Sequence, residues 1–329
     1  MKKYYILLVV IGTMLVTACT GQADDTGSVE VKADLINIAV AIPPQAAIVE
    51  AIGGEYVKVQ TMIPPGNSPA NYAPTQKEMA ALSDSALYFS IGVPTEAVNI
   101  LPMLESNGGH TKVVALDERV DSLYPARYFD DVHVDEHEHD SEHEHDSEHE
   151  HVDEHEDQEH VEDDHNHAGR DPHIWLSPKR INVLAEEIAE ELSLLSPEKS
   201  DLFMANKNTF LLELSKTDQV LKEAFSDLQG MSFLIYHPSL GYFAEEYGLE
   251  MIPLEAEGKS ATVQGMTQVI DFARENGIRT VFYQAEFDSK QARLLATEIG
   301  GKAVQLNPLS EEIVSNLEEM GTLIRNSVE

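Results

Sequence analysis

Fourteen histidines carry most of the chemistry this sequence offers, and their distribution sorts them into two kinds. Eleven crowd into residues 130–167, beside 19 Asp or Glu and no Lys or Arg. His137, His139, His143, His145, His149 and His151 recur in three six-residue units, and His155, His160, His165 and His167 follow. Neutral imidazoles beside carboxylates make many loose sites for borderline cations, zinc above all, with nickel and copper as competitors. So little apolar surface among so many like charges cannot repay the entropy of ordering. The segment is expected to be disordered and to bind weakly at many places; the bland alternative is a solvated insertion with no role.

Only His110, His173 and His237 lie elsewhere. His110 follows Gly108-Gly109 ahead of a strand and reads as an exposed turn residue. His173 stands in Asp171-Pro172-His173-Ile174-Trp175-Leu176-Ser177-Pro178, between the histidine-rich insertion and a helix. His237 ends the strand Ser232 to Tyr236 and precedes Pro238-Ser239-Leu240-Gly241-Tyr242-Phe243. In open α/β sheets, ligands gather at such strand ends. Either histidine alone is more simply structural. One from each half of the chain, with a cation-gathering segment next door, points to a shared metal ion.

The elements that must position them alternate. Ile36 to Ile42, Val57 to Ile63, Ala86 to Ile91 and Thr111 to Leu116 are strand-like before the insertion. Ser232–Tyr236, Leu249–Leu254, Thr280–Tyr283 and Lys302–Leu306 are strand-like after it. Helical stretches lie between, so the class is α/β, with two lobes that are each a mostly parallel sheet flanked by helices. In both halves a strand ends at proline, a helix follows and glycine stops it: Pro43-Pro44 to Gly53-Gly54, and Pro238 to Gly248. A helix from Pro178 to Leu192 precedes a long one that joins the lobes. Ser196-Pro197 caps and starts the latter, Phe203, Phe210, Leu214, Leu221, Phe225 and Leu228 share one face, and Gly230 stops it. At about 32 residues it would run roughly 48 Å. The expected lobes are 35–195, which contains the insertion 130–167, and 230–329, joined by 196–229.

At the start of the chain, Lys2 and Lys3 precede an uncharged run from Tyr4 to Ala18, too short for a spanning helix but fit for export. Leu15-Val16-Thr17-Ala18-Cys19 resembles a bacterial lipobox, so residues 1–18 are read as a signal peptide and Cys19, the single cysteine, as the lipidated residue. Residues 19–34 then form a polar tether, and the mature chain sits outside the cytoplasm, held to the membrane by its lipid anchor. With one cysteine there is no disulfide framework. The net charge of −36, from 58 acids against 22 bases, repels phosphate backbones, so nucleic acid is not an expected partner.

Taken together, the lipobox, two α/β lobes, His/acid-rich insertion, Asp171-to-Pro178 run and His237-to-Phe243 run resemble the zinc branch of the cluster A-I metal solute-binding proteins of ABC importers. That resemblance implies a cleft between lobes, one bound divalent metal, Zn²⁺ rather than Mn²⁺, delivery to an ABC permease, and a monomer. It also implies four ligands. His173 and His237 match two of them, but Ala70, in Pro65-Gly66-Asn67-Ser68-Pro69-Ala70-Asn71-Tyr72-Ala73-Pro74, stands where the family has a first-lobe histidine. The second-lobe carboxylate falls at Gln284 or Asn307, neither of them anionic.

Candidates to fill the gap are Glu286, two residues beyond Gln284 and the first choice, and Glu255 or Glu257. Asn71 or Tyr72 offers neutral oxygen, and a histidine of the insertion is a further option. An enzyme finds little support, since the sequence has no nucleophile elbow, no phosphate-cradling glycine loop and no His-Glu-x-x-His pair. Two readings stay open: a metal-delivering lipoprotein, or a surface metal buffer or interaction protein that has lost its tight site.

Overall fold

Each half of the chain builds a four-stranded parallel sheet, as its alternation of strands and helices requires. A computed structural model describes residues 35–106, 110–129, 169–256, 259–260, 262–287 and 290–328. The expectations for Cys19, the tether, Glu257 and the histidines of the insertion lie outside these residues. The first sheet comprises β1 (Ile36–Val40), β2 (Val57–Thr61), β3 (Leu87–Ser90) and β4 (Lys112–Ala115), in the order β2-β1-β3-β4. The second comprises β5 (Ser232–Ile235), β6 (Glu250–Pro253), β9 (Thr280–Gln284) and β10 (Lys302–Leu306), in the order β10-β9-β5-β6. Between β6 and β9, β7 (Glu255–Ala256) and β8 (Lys259–Ser260) pair antiparallel. β3 is buried along its whole length, as a central parallel strand covered on both faces should be.

Six of the eight strands in these two sheets are shorter than the apolar runs that announced them, because the chain turns at their ends, whereas β10 matches its run and β9 extends one residue further, to Gln284. Helix α1 (Pro43–Gly53) begins three residues after β1, with Pro43 and Pro44 in its first turn. Buried Gln45 ties this corner: its Oε1 accepts from Ala41 and Ile42 N–H, and its Nε2 donates to Phe89 O. In the second half α7 (Gly241–Tyr247) ends at Gly248, whose φ of 70° is left-handed and suits glycine.

The other α-helices among the described residues are α2 (Gln76–Ser83), α3 (Leu101–Ser106), α4 (Leu116–Asp121), α5 (Pro178–Leu195), α6 (Ser200–Phe225), α8 (Val263–Glu275), α9 (Lys290–Glu298) and α10 (Ile313–Arg325). Ser177 caps α5 by accepting from Arg180 N–H, with Pro178 at the first helical position. The long linking helix is shorter than expected. Ser196 turns its hydroxyl to Glu198 instead of capping, Pro197–Lys199 form a 3₁₀ turn, and α6 then runs 26 residues, roughly 39 Å. Its buried face is the predicted one, Phe203, Phe210, Leu214, Leu221 and Phe225, with Leu228 packed against the core beyond its end.

α6 packs on α1 and α5 in the first half and on α10 in the second. The larger apolar core follows it, running without a break from Ile38 in β1 to Ile324 in α10. A smaller cluster including Leu234, Val281, Leu295 and Ala273 fills the other face of the second sheet. The two sheets therefore share a core along α6 instead of burying two separate ones, and the described residues from Leu35 onward cluster as one unit. Among them no helix is long and apolar enough to cross a membrane.

Candidate metal centre

His237 lies just past the carboxyl end of β5, and strand register decides what surrounds it. Ile235 pairs with Pro253 of β6 and with Phe282 of β9. Counting two residues beyond each puts Glu255, His237 and Gln284 side by side. Glu255 Oε1 is 2.5 Å from His237 Nδ1, and Gln284 Nε2 donates to His237 O at 2.9 Å and to Ser239 Oγ at 2.6 Å. Phe287 stacks on the imidazole with centroids 4.3 Å apart and planes 22° off parallel.

His173 comes from the other half, at the start of the 3₁₀ turn Ile174–Leu176 that leads into α5. Asp171 Oδ1 accepts from the His173 backbone N–H at 3.0 Å and lies 2.7 Å from Nδ1. Trp175 packs beside the ring at 5.0 Å between centroids, and its Nε1 donates across to Pro308 O at 2.8 Å. Asp171 is in turn held from the second half: Tyr242 Oη donates to its carbonyl, Arg127 Nε lies 3.6 Å from Oδ2, and Gly241 passes close against both side chains.

Each imidazole thus offers Nδ1–H to a buried carboxylate, which assigns the tautomer and leaves the Nε2 lone pair free. The two Nε2 atoms face each other at 3.4 Å. Two lone pairs at that range repel unless a cation lies between them. Two zinc-bound nitrogens at about 2.0–2.1 Å in tetrahedral array are separated by roughly 3.3 Å, so the pair is spaced as one edge of such a site. Burial pushes the His237 imidazole below its usual value, against the opposing pull of Glu255. That favours the neutral form a metal requires.

The other expected ligands fare differently. Among the described residues no group of three or more His, Cys, Asp or Glu side chains is placed to hold a metal ion. Glu286 lines the cleft, and burial raises its carboxyl above the usual range, but the place beside His237 is taken by its neighbour Phe287. Glu255 is committed to Nδ1, at the opposite side of the ring from Nε2. Gln284 is spent on holding the His237 backbone, although its Oε1 is buried without a partner. Asn307 is exposed, and the next two residues, Pro308 and Leu309, line the cleft in its place. Asn71 is exposed, and Tyr72 turns its hydroxyl to Glu78, because the turn from Ser68 to Tyr72 points only Ser68, Pro69 and Ala70 at the cleft. His110 is exposed, as expected.

Sequence reasoning missed Asp171 and the second role of Glu255 behind its histidine. The signal for Asp171 was present, since a carboxylate two residues before a histidine with proline between is within reach of Nδ1. Arg127 carried no such signal. The described residues on either side of the insertion also reach the site: Asp171 N–H donates to Arg127 O, Phe129 N–H donates to Gly169 O, and Phe129 and Gly169 both line the cleft.

Comparison with known proteins bears on the family and the fold. The family model described as zinc-uptake complex component A, periplasmic, matches residues 38–325. Zinc-binding protein AdcA of Streptococcus pyogenes serotype M3 is 28% identical over 308 residues, which are 89% of this chain and 55% of that protein. The chain thus spans about half the length of the curated relatives of that kind. High-affinity zinc uptake system protein ZnuA of Bacillus subtilis is 25% identical over 316 residues, 94% of this chain and 89% of that protein. A crystal structure of ZnuA is 31% identical and superposes with a TM-score of 0.74 over 90% of this chain and all of that one. A zinc-bound deletion mutant of ZnuA, also 31% identical, gives 0.73 over 89% of this chain and 98% of its own. On the extent of the family match and the fold it shares, this chain belongs to the zinc-uptake complex component A family.

Proposed function

We propose that this chain captures a divalent cation, Zn²⁺ before Mn²⁺, between its two halves outside the cytoplasm and hands it to an ABC permease. The observation that carries the reading is the Nε2 pair of His173 and His237, 3.4 Å apart, each imidazole backed by a carboxylate. Nitrogen donors favour zinc, whereas manganese prefers oxygen-rich sites. Capture needs no bond chemistry: neutral imidazoles displace water from the ion, and Asp171 and Glu255 offset its charge through the rings. The histidines of 130–167 raise the local metal concentration, and Phe129 and Gly169, which bracket that segment, open onto the cleft. A lipid on Cys19 keeps the chain at the membrane where a permease can meet it.

A second reading has one observation in its favour. With two imidazoles and no third ligand among the described residues, the cleft suits a surface buffer that binds zinc loosely. Zinc titration of the mature chain with 130–167 removed separates the two. One tight equivalent, with zinc alone or with a small chelating co-ligand supplied, that is lost in His237→Ala supports delivery, and the absence of any tight equivalent under both conditions supports buffering. Zinc uptake by cells carrying His173→Ala or His237→Ala then tests the hand-over itself.

A further inference from the structure

Beyond the two imidazoles the cleft opens into a cavity of about 340 Å³. Most of its wall is apolar or aromatic, with Phe129, Trp175, Phe287, Pro94 and Leu309 among the lining, and Ser68, Gln284 and Glu286 are among the polar exceptions. Ala70, where the family resemblance puts a first-lobe histidine, also lines it. Water at the two remaining tetrahedral corners would take up roughly 60 Å³, at about 30 Å³ per molecule. The cavity is several times larger and falls among small-molecule sites, which run from about 300 to 1,000 Å³. Water filling the rest of the cavity would face carbon over most of the wall and find acceptors only at its few polar residues. A ligand with donors at one end and carbon at the other suits both features.

We propose that the cleft takes its metal as a complex with a small amino-acid chelator, whose amine nitrogen and carboxylate oxygen supply the donors the chain lacks. This rests on the reading that His173 and His237 hold the ion. An α-amino acid closes a five-membered chelate ring that spans two adjacent corners of a coordination sphere, which is what the imidazole pair leaves open. Its side chain then lies against the aromatic wall and gains by burial. The chelator binds through the metal, so neither partner alone fills the site.

The test uses the full chain with zinc and labelled L-histidine or glycine as probes. Trp175 is the only tryptophan and abuts His173, so its fluorescence reports on the cleft and not on the insertion. His237→Ala keeps the insertion and serves as the blank for binding there. The expected result is about one labelled amino acid retained per chain through gel filtration, above the His237→Ala blank and only with zinc present. The free zinc needed for half of the Trp175 response should fall about tenfold or more when the amino acid is supplied.

Ala70→His puts an imidazole at the open side. It should respond to zinc alone and lose the retained amino acid. A Trp175 response to zinc with neither amino acid retained, or one weakened by Glu286→Gln with none retained, overturns the chelate and leaves zinc capture standing. Retention of the amino acid without zinc, or undiminished retention by Ala70→His, also overturns it. No Trp175 response to zinc under any condition removes the chelate and the metal site together.

Discussion

Glu255 Oε1 lies 2.5 Å from His237 Nδ1 because β5 and β6 run in register and each residue sits two places past a paired one. Glu255 is buried, and so is Asp171, its counterpart on His173. A buried carboxylate at Nδ1 fixes the tautomer and makes Nε2 a better donor to metal. Glu255→Gln keeps an acceptor there but removes the charge. It should weaken zinc binding at the cleft by about 10–100-fold, with little change in melting temperature. Trp175 fluorescence against free zinc measures the first and circular dichroism the second. Unchanged affinity would show that the contact serves folding alone.

On the His173 side the corresponding support comes from close approach. A Cβ on Gly241 would lie 2.8 Å from Asp171 Oδ2 and 2.7 Å from Arg127 Nε. Both are side-chain ends, but Asp171 is pinned by its two bonds to His173 and cannot yield without turning that ring. Gly241→Ala should therefore cost zinc affinity by about tenfold or more while the fold survives. Weakened binding with a melting temperature near wild type is the expected pairing. Full zinc affinity in Gly241→Ala would mean that Arg127 and Asp171 do not position the imidazole.

How much of this was legible in the sequence depended on range. Pro43, Gly53, Pro178 and Gly248 mark helix ends through their own backbone chemistry, and the helix ends fall close to where they stand. The apolar spacing from Phe203 to Phe225 gave the buried face of α6 for the same local reason. His173 and His237 stood out because each follows a recognisable strand or precedes a recognisable helix. The place of Glu255, behind His237 and on Nδ1, was of another kind. It turned on which residue of β6 pairs with Ile235, a long-range fact that no local pattern encodes. Ser196 shows the converse: its local signal was a good cap, and the hydroxyl went to Glu198.

Removing residues 130–167 should separate two kinds of zinc binding. The many weak equivalents belong to that segment and should disappear. The Trp175 response should stay within about threefold of the full chain, since His173 and His237 are held by Asp171 and Glu255, and none of these four lies in the segment. Calorimetry counts the weak equivalents, and fluorescence follows the cleft. A large loss at Trp175 would instead show that a histidine of the segment completes the ligand set, a reading to which the cleft-lining positions of Phe129 and Gly169 lend some room.

Glu96 gives a pH dependence that owes nothing to metal. Its carboxylate accepts from Tyr88 Oη at 2.7 Å and from the N–H groups of Ile91, Gly92 and Val93, fixing the loop whose Val93 and Pro94 line the cleft. Burial outweighs these donors and pushes Glu96 up to about 7 from 4.5. An acid raised by folding stabilises the native state fully below its unfolded value. That contribution, on the order of 3 kcal/mol, fades as pH climbs through the folded one. Glu96→Gln cannot ionise and also loses acceptors, so it should melt lower throughout. The gap to wild type should be widest near about pH 5 and should narrow toward about pH 8, where only wild type carries the buried charge. Thermal melts of zinc-free protein across that range measure it, and a gap that widens with pH would place the charged carboxylate as the form the loop prefers.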